Sequence, residues 1–343
     1  MTPVQAKLSE FLAEAMAGDA NSIVNVGGTI DPSADFAKSA SQTLAQHPKS
    51  LESRFLYDAR GSELFELICE QPEYYLTRTE ASILKDHASH ICEKVGPVTL
   101  VELGSGSSVK TSHILNVFTD RYGKVQYVPI DISKAALEEA YTRVAREHGA
   151  VNFVGINGSY ECAFPLLSRI TPVVVLFLGS SIGNFDVEEE RVFWSCMSQC
   201  LTKGDYFLLG VDLVKDIETM EAAYNDRAGV TAAFTRNLFA RMNKEFHSTI
   251  QVNHVKHEAE YCEQRERIEI GARFRKAQII EIQPVGQRFE IGENEKIYTE
   301  ISRKYRIDRL LPYLSGFGFE ACLVLTDPKK SFALLLLYKV KGR

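Results

Sequence analysis

Two closely spaced glycines and two acidic residues form the first pattern in the sequence that could support chemistry. Gly104 and Gly106 follow the apolar run 98–103, which contains Glu102. Glycine has no side chain, so it lets the backbone approach a ligand closely. Asp131 ends the next apolar run, where a carboxylate can accept hydrogen bonds from both hydroxyls of a ribose. The pattern therefore predicts a cofactor that contains a nucleoside.

The same glycine turn argues against two common phosphate-binding motifs. A dinucleotide site would have a third glycine at position 109, where this chain has Val109. A P-loop would continue with Gly-Lys-Ser or Gly-Lys-Thr, and neither glycine is followed by that sequence at the required spacing. The order apolar-Glu-x-Gly-x-Gly instead resembles motif I of the Rossmann-like S-adenosylmethionine-dependent methyltransferases, whose ligand has no phosphate.

An alternation of short apolar runs and helical stretches extends from Val98 to Leu209 and must position these residues. Runs such as 173–178 are apolar without alternation, which is typical of strands covered on both faces. Together with the crossover rule, this order predicts a doubly wound sheet of the α/β class. We expect residues 78–215 and 301–343 to form a Rossmann-like methyltransferase domain.

The rest of the chain predicts a second, α+β domain that binds the substrate. After Asp212, two helical stretches precede the charged, alternating segments 258–274 and 277–291, which are typical of antiparallel strands. The N-terminal part has an amphipathic start at residues 8–15, a loose segment at 21–28 and a helix with Asp31 as its N-cap. We expect residues 1–77 and 216–300 to pack together as this domain.

Composition argues against several other classes of protein. Lys and Arg number 39 against 45 Asp and Glu, and the net charge of −6 gives no general attraction to nucleic acid or anionic membranes. The apolar stretch 332–338 is far shorter than the ~20 residues of a membrane span. The N-terminus lacks the pattern of a signal peptide, and the seven cysteines include no C-x-x-C pair. We expect a cytoplasmic, monomeric protein that binds neither nucleic acid nor membranes.

A metal site is not expected from the histidines. His254 and His257 are three residues apart, but no third ligand stands at a suitable spacing.

Many further residues match one narrow family. The matching segments are 57–84, 101–111, 129–132, 177–184, 210–216, 223–237, 266–269, 299–304 and 326–328. Together they resemble the histidine-specific Nα-methyltransferases, which form hercynine on the way to ergothioneine. The resemblance covers essentially the whole chain past residue 50. It implies an enzyme that trimethylates the α-amino group of L-histidine with S-adenosylmethionine and releases S-adenosylhomocysteine.

The resemblance also implies roles for individual residues at the substrate. These are Asn184 and Tyr224 at the carboxylate, Tyr57 and the backbone at Gly179 at the α-amino group, and Tyr75, Glu300 and Ser302 at the imidazole ring. Asparagine and tyrosine donate hydrogen bonds to a carboxylate without adding a charge. Glu300 can accept a ring N–H, and Ser302 can donate to the ring or accept from it. Tyr57 is the implied catalytic residue.

The implied cofactor contacts belong to the glycine turn and the strand ends that follow it. They are Glu102, Gly104, Gly106, Lys110 and Asp131, with Ser159 and Tyr160 on the adenine side. The family often has an acid followed by an aromatic at the last two positions, so the adenine contacts here stay open.

A second departure from the family bears on the choice of substrate. Ile270 stands where the better-known bacterial members have methionine near the imidazole pocket. Relatives of this fold methylate other amino acids, including tryptophan derivatives, and a non-catalytic module that binds an amino acid or cofactor is a further alternative. The pair Glu300 and Ser302 favours histidine.

The expected reaction needs positioning and no covalent intermediate. A neutral amine attacks the methyl carbon in line, with its lone pair ~3–3.5 Å from that carbon. The α-amino group must therefore lose its proton, and water near Tyr57 is the expected acceptor. Three transfers build a quaternary ammonium, which aromatic faces such as that of Tyr57 accommodate.

Overall fold

The computed structural model describes residues 22–26, 31–106 and 108–340. The chain divides into two compact units. Unit 1 comprises Met1–Gly28, Leu76–Val214 and Tyr305–Arg343, and unit 2 comprises Thr29–Tyr75 and Lys215–Lys304. Each unit is thus assembled from segments that are distant in sequence. The amphipathic start predicted at Leu8, Phe11, Leu12 and Ala15 lies outside the described residues.

An eight-stranded sheet forms the centre of unit 1. Numbered along the chain, its strands are β1 (Ser22–Asn25), β2 (Thr99–Leu103), β3 (Val125–Asp131), β4 (Val151–Asn157), β5 (Val173–Phe177), β6 (Tyr206–Asp212), β12 (Phe319–Thr326) and β13 (Phe332–Lys339). Their order is β1-β4-β3-β2-β5-β6-β13-β12. The first six are parallel, and β13 is antiparallel to both of its neighbours. The predicted doubly wound α/β architecture is confirmed.

The core of unit 1 explains why its strands are continuous apolar runs. All five residues of β5 are buried, and Trp194 and Phe207 are fully buried in the same hydrophobic cluster. A strand with helices on both faces has no solvent-facing side, so polar residues do not alternate along it.

Helices surround the sheet and build much of unit 2. They are α1 (Pro32–Leu44), α2 (Ala59–Glu70), α3 (Tyr75–Val95), α4 (Ser112–Tyr122), α5 (Lys134–Glu147), α6 (Tyr160–Leu167), α7 (Val187–Cys200), α8 (Ile217–Ala222), α9 (Val230–Phe246) and α10 (Ile307–Ser315). The Asp31 side chain accepts from the N–H of Ser33, which confirms the predicted N-cap of α1. None of the described helices is long and apolar enough to span a bilayer.

The structure corrects the prediction that all of residues 1–77 pack with the insertion. Strand β1 instead pairs in parallel with β4, with Ile23 opposite Gly155. The N–H of Val26 continues the pairing to the carbonyl of Asn157 at 2.9 Å. The edge of β4 has backbone groups that need partners, and β1 supplies them. Gly155 leaves room for Ile23, whose Cγ1 would lie 3.1 Å from a Cβ at that position.

Unit 2 contains the antiparallel strands that the alternating pattern predicts. Strands β7 (Val255–Cys262), β8 (Arg267–Phe274) and β11 (Lys296–Arg303) form one sheet in the order β11-β8-β7. Strands β9 (Gln278–Ile282) and β10 (Gln287–Ile291) form a separate pair. Helix α9 packs on α2 and on β7.

Unit 1 closes on itself where the chain leaves it after Val214 and returns to it at Tyr305. Leu213 and Tyr305 form an isolated parallel bridge, and the N–H of Val214 donates to the Tyr305 carbonyl at 3.1 Å. The N–H of Tyr305 donates in turn to the carbonyl of Asp212 at 2.8 Å. The exit point and the re-entry point are therefore hydrogen-bonded neighbours.

Candidate active site

The carboxyl ends of the parallel strands bring the motif I residues of unit 1 together. The strand order reverses at β2, which lies between β3 and β5, and doubly wound sheets bind ligands outside the strand ends at such a point. Gly104 and Gly106 follow β2 in the left-handed region, with φ of 68° and 50°. A Cβ at Gly104 would lie 2.9 Å from the Tyr160 hydroxyl. Only glycine suits position 104, because both its backbone angle and this close approach exclude a side chain.

Asp131 at the end of β3 is bound from two directions. One carboxylate oxygen accepts from the N–H of Gly106 and the other from the N–H of Ser133, both at 2.8 Å. Burial raises the pKa of Asp131, and these backbone donors oppose that rise. A carboxylate has about four acceptor positions, so two are left for a diol. This chemistry fits the ribose of S-adenosylmethionine.

Glu102 is enclosed by side chains of the fold. Only 3% of its surface is exposed, its Oε1 accepts from the Thr111 hydroxyl at 2.6 Å, and its other oxygen accepts from the Tyr127 hydroxyl. Burial raises the pKa of Glu102 to about 7. This carboxylate links β2, β3 and the start of α4, so it fixes the shape of the glycine turn.

Lys110 and Gly179 converge on Glu80, a residue that the sequence analysis missed. The fully buried Glu80 carboxylate forms an ion pair with Lys110 and accepts from the Gly179 N–H at 2.8 and 2.9 Å. Glu80 lies on the buried face of α3 beside Leu76 and Leu84, so an acid inside a helical apolar stripe was the available signal. Through these two partners, Glu80 connects the loop after β5 to the segment before α4.

The remaining predicted residues of unit 1 lie at strand or helix ends. Asn184 is half-buried at the end of the 3-10 helix Ser181–Asn184. Ser159 is the residue before α6, and the Tyr160 ring packs edge-on against Phe177 with centroids 5.5 Å apart.

Unit 2 gathers several of the predicted substrate residues around Tyr74. Its ring packs edge-on against that of Tyr224 at 6.0 Å. Burial raises the pKa of Tyr74 well above its ordinary value, and the nearby Tyr224, Tyr57 and Glu300 raise it further. Three residues predicted for the substrate carboxylate, amine and ring therefore share one neighbourhood.

Strand β11 presents Glu300 and Ser302 on one face, because side chains two apart on a strand point the same way. A register irregularity lies between Tyr298 and Glu300, after which Glu300 is opposite Ile270 on β8. The departure from the family at Ile270 is therefore next to the proposed imidazole contact. Ser302 is buried, and its hydroxyl lies 2.7 Å from that of Tyr224.

The two other predicted tyrosines of unit 2 have aromatic or cationic neighbours. Tyr57 packs edge-on against Phe65 and Phe234, each at 5.5 Å between ring centroids. Lys215 donates to the Tyr75 hydroxyl at 2.6 Å and lies 4.6 Å from the centre of its ring.

Both ring nitrogens of His257 have structural partners. His257 Nε2 lies 2.7 Å from the Tyr224 carbonyl, and its Nδ1 lies 2.8 Å from the Thr235 hydroxyl. Burial lowers the pKa of His257. In the neutral ring, Nε2 donates to the carbonyl and Nδ1 accepts from Thr235, so His257 holds the Tyr224 backbone in place. Within the described part of the chain, no cluster of three or more His, Cys, Asp or Glu residues could hold a metal ion.

A family model described as histidine-specific methyltransferase, SAM-dependent, matches residues 36–339. The chain belongs to this family. It is 36% identical over 293 residues to the histidine N-alpha-methyltransferase of Mycolicibacterium smegmatis, covering 85% of this chain and 91% of that protein. It is 34% identical to the protein of that name from Mycobacterium tuberculosis, covering 86% and 92%. Ergothioneine biosynthesis protein 1 of Neurospora crassa is 32% identical over 202 residues, covering 57% of this chain and 23% of that protein.

Family membership confirms the predicted fold, enzyme class and methyl donor. This chain is an S-adenosylmethionine-dependent methyltransferase of the histidine-specific family. The roles of individual residues stay predictions, and they are carried into the proposal below.

Proposed function

We propose that the enzyme transfers three methyl groups to the α-amino nitrogen of L-histidine, forming hercynine for ergothioneine biosynthesis. Each transfer consumes one S-adenosylmethionine and releases one S-adenosylhomocysteine. The observation that carries this proposal is the match to the histidine-specific family over residues 36–339. Glu300 and Ser302 on one face of β11 support it, because together they can bind the polar edge of an imidazole ring.

The cofactor would be held by the glycine turn and the strand ends of unit 1. Asp131 would accept from the ribose hydroxyls, and Gly104 and Gly106 would let the backbone approach the ligand. Lys110 would contribute from its position beside Glu80. Glu102 would act by holding the turn, and Ser159 and Tyr160 would lie on the adenine side. When bound, S-adenosylmethionine supplies an electrophilic methyl group on a sulfonium.

The substrate would be oriented by hydrogen bonds at both of its ends. Asn184 and the Tyr224 hydroxyl would donate to the carboxylate, and Tyr75, Glu300 and Ser302 would contact the ring. The N–H of Gly179 is taken by Glu80, so the carbonyl is the backbone group there that would accept from the amine. A ligand without ring nitrogens would leave Glu300 unpaired, at a cost of about 2–5 kcal/mol.

Tyr57 would lie beside the reacting nitrogen, and its aromatic face would contact the cation that forms there. The amine must reach the reaction as the free base, with its lone pair directed at the methyl carbon. Its proton would pass to water beside Tyr57. The growing quaternary ammonium donates no hydrogen bonds, and the cluster of Tyr57, Phe65 and Phe234 offers rings that suit such a cation.

We also propose that the enzyme acts in the cytoplasm as a monomer. The described cysteines Cys69, Cys92, Cys196, Cys200, Cys262 and Cys322 form no disulfide, as expected in a reducing compartment. All of the proposed contacts come from one chain, so catalysis requires no second copy. Analytical ultracentrifugation of the purified protein tests the monomer.

The mass of the product tests the main proposal. The enzyme is incubated with L-histidine and methyl-labelled S-adenosylmethionine, and we expect trimethylhistidine with three labelled methyl groups. Tryptophan and the other amino acids are offered in parallel, because Ile270 stands beside Glu300. Binding of S-adenosylhomocysteine without any methylated histidine would reject the proposal. Methylation of tryptophan in preference to histidine would support the alternative substrate.

A further inference from the structure

Lys304 is a buried lysine that directly contacts two of the proposed substrate residues. Only 3% of its surface is exposed, and it follows the last residue of β11. Its Nζ donates to the Ser302 hydroxyl at 2.8 Å and to the Tyr224 hydroxyl at 3.0 Å. Those two hydroxyl oxygens lie 2.7 Å apart, so the three polar atoms form a closed triangle. A buried ammonium group is costly without such hydrogen bonds.

The number of protons in this triangle restricts what each hydroxyl can do. Lysine has donors only, so both oxygens accept from Lys304. Between Tyr224 and Ser302 one hydroxyl must donate to the other, which uses one of their two protons. The second proton points out of the triangle. If that proton belongs to Tyr224, Ser302 is left with a lone pair to offer and acts as an acceptor.

We infer that Lys304 is a positioning residue that makes Tyr224 a donor to the substrate carboxylate and Ser302 an acceptor for a ring N–H. This inference rests on the proposed function, because it assigns the two groups of histidine to the two hydroxyls. Tyr224 would bind the carboxylate with its outward proton. Ser302 would donate to Tyr224 and accept from the imidazole. The arrangement selects a ligand that has a carboxylate at one end and an N–H donor at the other.

The charge of Lys304 strengthens the same arrangement. The two residues proposed to bind the carboxylate, Asn184 and Tyr224, are neutral. Lys304 adds a positive charge 3.0 Å from the Tyr224 hydroxyl oxygen. The ammonium also lies 4.7 Å from the centre of the Tyr224 ring. Donation from a cation polarises the hydroxyl, which makes it a better donor to a carboxylate.

The first test replaces Lys304 by an apolar residue of similar shape. We expect Lys304→Met to raise KM for histidine roughly 10- to 100-fold and to leave KM for S-adenosylmethionine unchanged. Lys296→Met is the matched control, because Lys296 lies on the same strand and its Nζ donates to the Glu269 carbonyl instead, at 3.4 Å. Unchanged KM for histidine in Lys304→Met, or equal losses for both ligands, would overturn the inference.

A double-mutant cycle separates positioning from a general structural role. In a Tyr224→Phe, Ser302→Ala background there is no hydroxyl left to orient, so adding Lys304→Met should change KM for histidine by less than about threefold. A structural role predicts the same factor in both backgrounds. Equal factors would therefore contradict the inference.

A second variant keeps the test decisive if Lys304→Met does not fold. Lys304→Gln retains an N–H donor without the charge, and we expect a KM for histidine that is raised less than in any foldable apolar variant, such as Lys304→Leu. Equal values for both variants would contradict the role of the donor. Failure of the wild-type enzyme to methylate histidine would instead refute the proposed function, and the two failures are thus distinguishable.

Discussion

At the scale of single residues, the proposed function assigns the choice of substrate to Glu300. It stands on β11 opposite Ile270, and it contributes to raising the pKa of the buried Tyr74. A carboxylate in such a place discriminates between ligands. A ligand without an N–H donor displaces the water bound to Glu300 but gives the carboxylate no hydrogen bond in return.

We predict that Glu300→Ala raises KM for histidine roughly 10- to 100-fold, since a hydrogen bond to a charged group is lost. The dissociation constant for S-adenosylhomocysteine should not change. Isothermal titration calorimetry and initial rates measure the two effects. Glu290→Ala, at an exposed position on β10, is the control. Equal weakening of both ligands by Glu300→Ala would remove Glu300 from the ring-binding site.

The pKa of Glu102 makes the stability of the fold depend on pH. Its folded pKa of about 7 lies above the ordinary value of 4.5, because burial outweighs the hydrogen bonds from Thr111 and Tyr127. Between these two values the native state binds more protons than the unfolded state. The contribution of Glu102 to the free energy of unfolding therefore falls as pH rises through this window, by at most about 1.4 kcal/mol per pH unit.

We predict that Glu102→Gln flattens this dependence, so the variant gains stability relative to the wild type between pH 5 and pH 8. The glutamine carbonyl can accept from Thr111, and its NH2 can donate to Tyr127, whose hydroxyl lies 2.7 Å from that of Ser108. Urea unfolding at several pH values gives the comparison, with the exposed Glu290→Gln as control. If the free energy of unfolding depended on pH equally in the wild type and in Glu102→Gln, Glu102 would not be the cause of that dependence.

At the scale of elements, strand β6 has a glycine where the side chain of Glu80, from helix α3, packs against it. Gly210 lies on β6, and a Cβ there would lie 2.1 Å from Oε1 of Glu80. The carboxylate of Glu80 binds Lys110 and the Gly179 N–H, so β6 leaves space for an ion pair that orders two loops of the proposed cofactor site.

We predict that Gly210→Ala destabilises the protein by about 1–3 kcal/mol, because the added methyl group displaces a buried carboxylate. Its affinity for S-adenosylhomocysteine should fall as well, since Lys110 and Gly179 lose their common partner. Thermal unfolding with and without S-adenosylhomocysteine measures both effects. Gly149→Ala is the control, because no atom lies within 4 Å of a Cβ there. A Gly210→Ala protein with wild-type stability and affinity would show that Glu80 tolerates displacement.

The sequence was most informative where one local pattern determines an element. The buried run of β5, the alternation of β7 and β8 and the Asp31 cap each depend on neighbouring residues, and all were predicted. Strand β1 was assigned to the wrong unit because its partner β4 is far away in sequence. Glu80 and Lys304 were missed for a related reason. Each is a charged residue whose role is set by atoms that pair with it only after folding.

At the scale of the whole molecule, both units are discontinuous, and most of this organisation follows from the change of pattern after Asp212. The periodicity changes from buried parallel strands to helices and amphipathic strands, and after β11 the chain returns to the sheet of unit 1 through the antiparallel strands β12 and β13. Apart from Met1–Gly28, which belongs to unit 1, the limits differ by only a few residues from those predicted. The limit near residue 76 was not predicted because helix α3 begins at the last residue of one segment of unit 2 and continues into unit 1. A boundary inside a continuous helix leaves no loop composition to mark it.

The bridge between Leu213 and Tyr305 gives this architecture a modular character. Since the polypeptide departs and returns at adjoining backbone groups, the intervening stretch can change in length without rerouting any strand of the sheet. A chimera that exchanges residues 215–304 at this bridge, together with residues 29–75, would therefore replace the whole of unit 2 and keep every strand of the eight-stranded sheet.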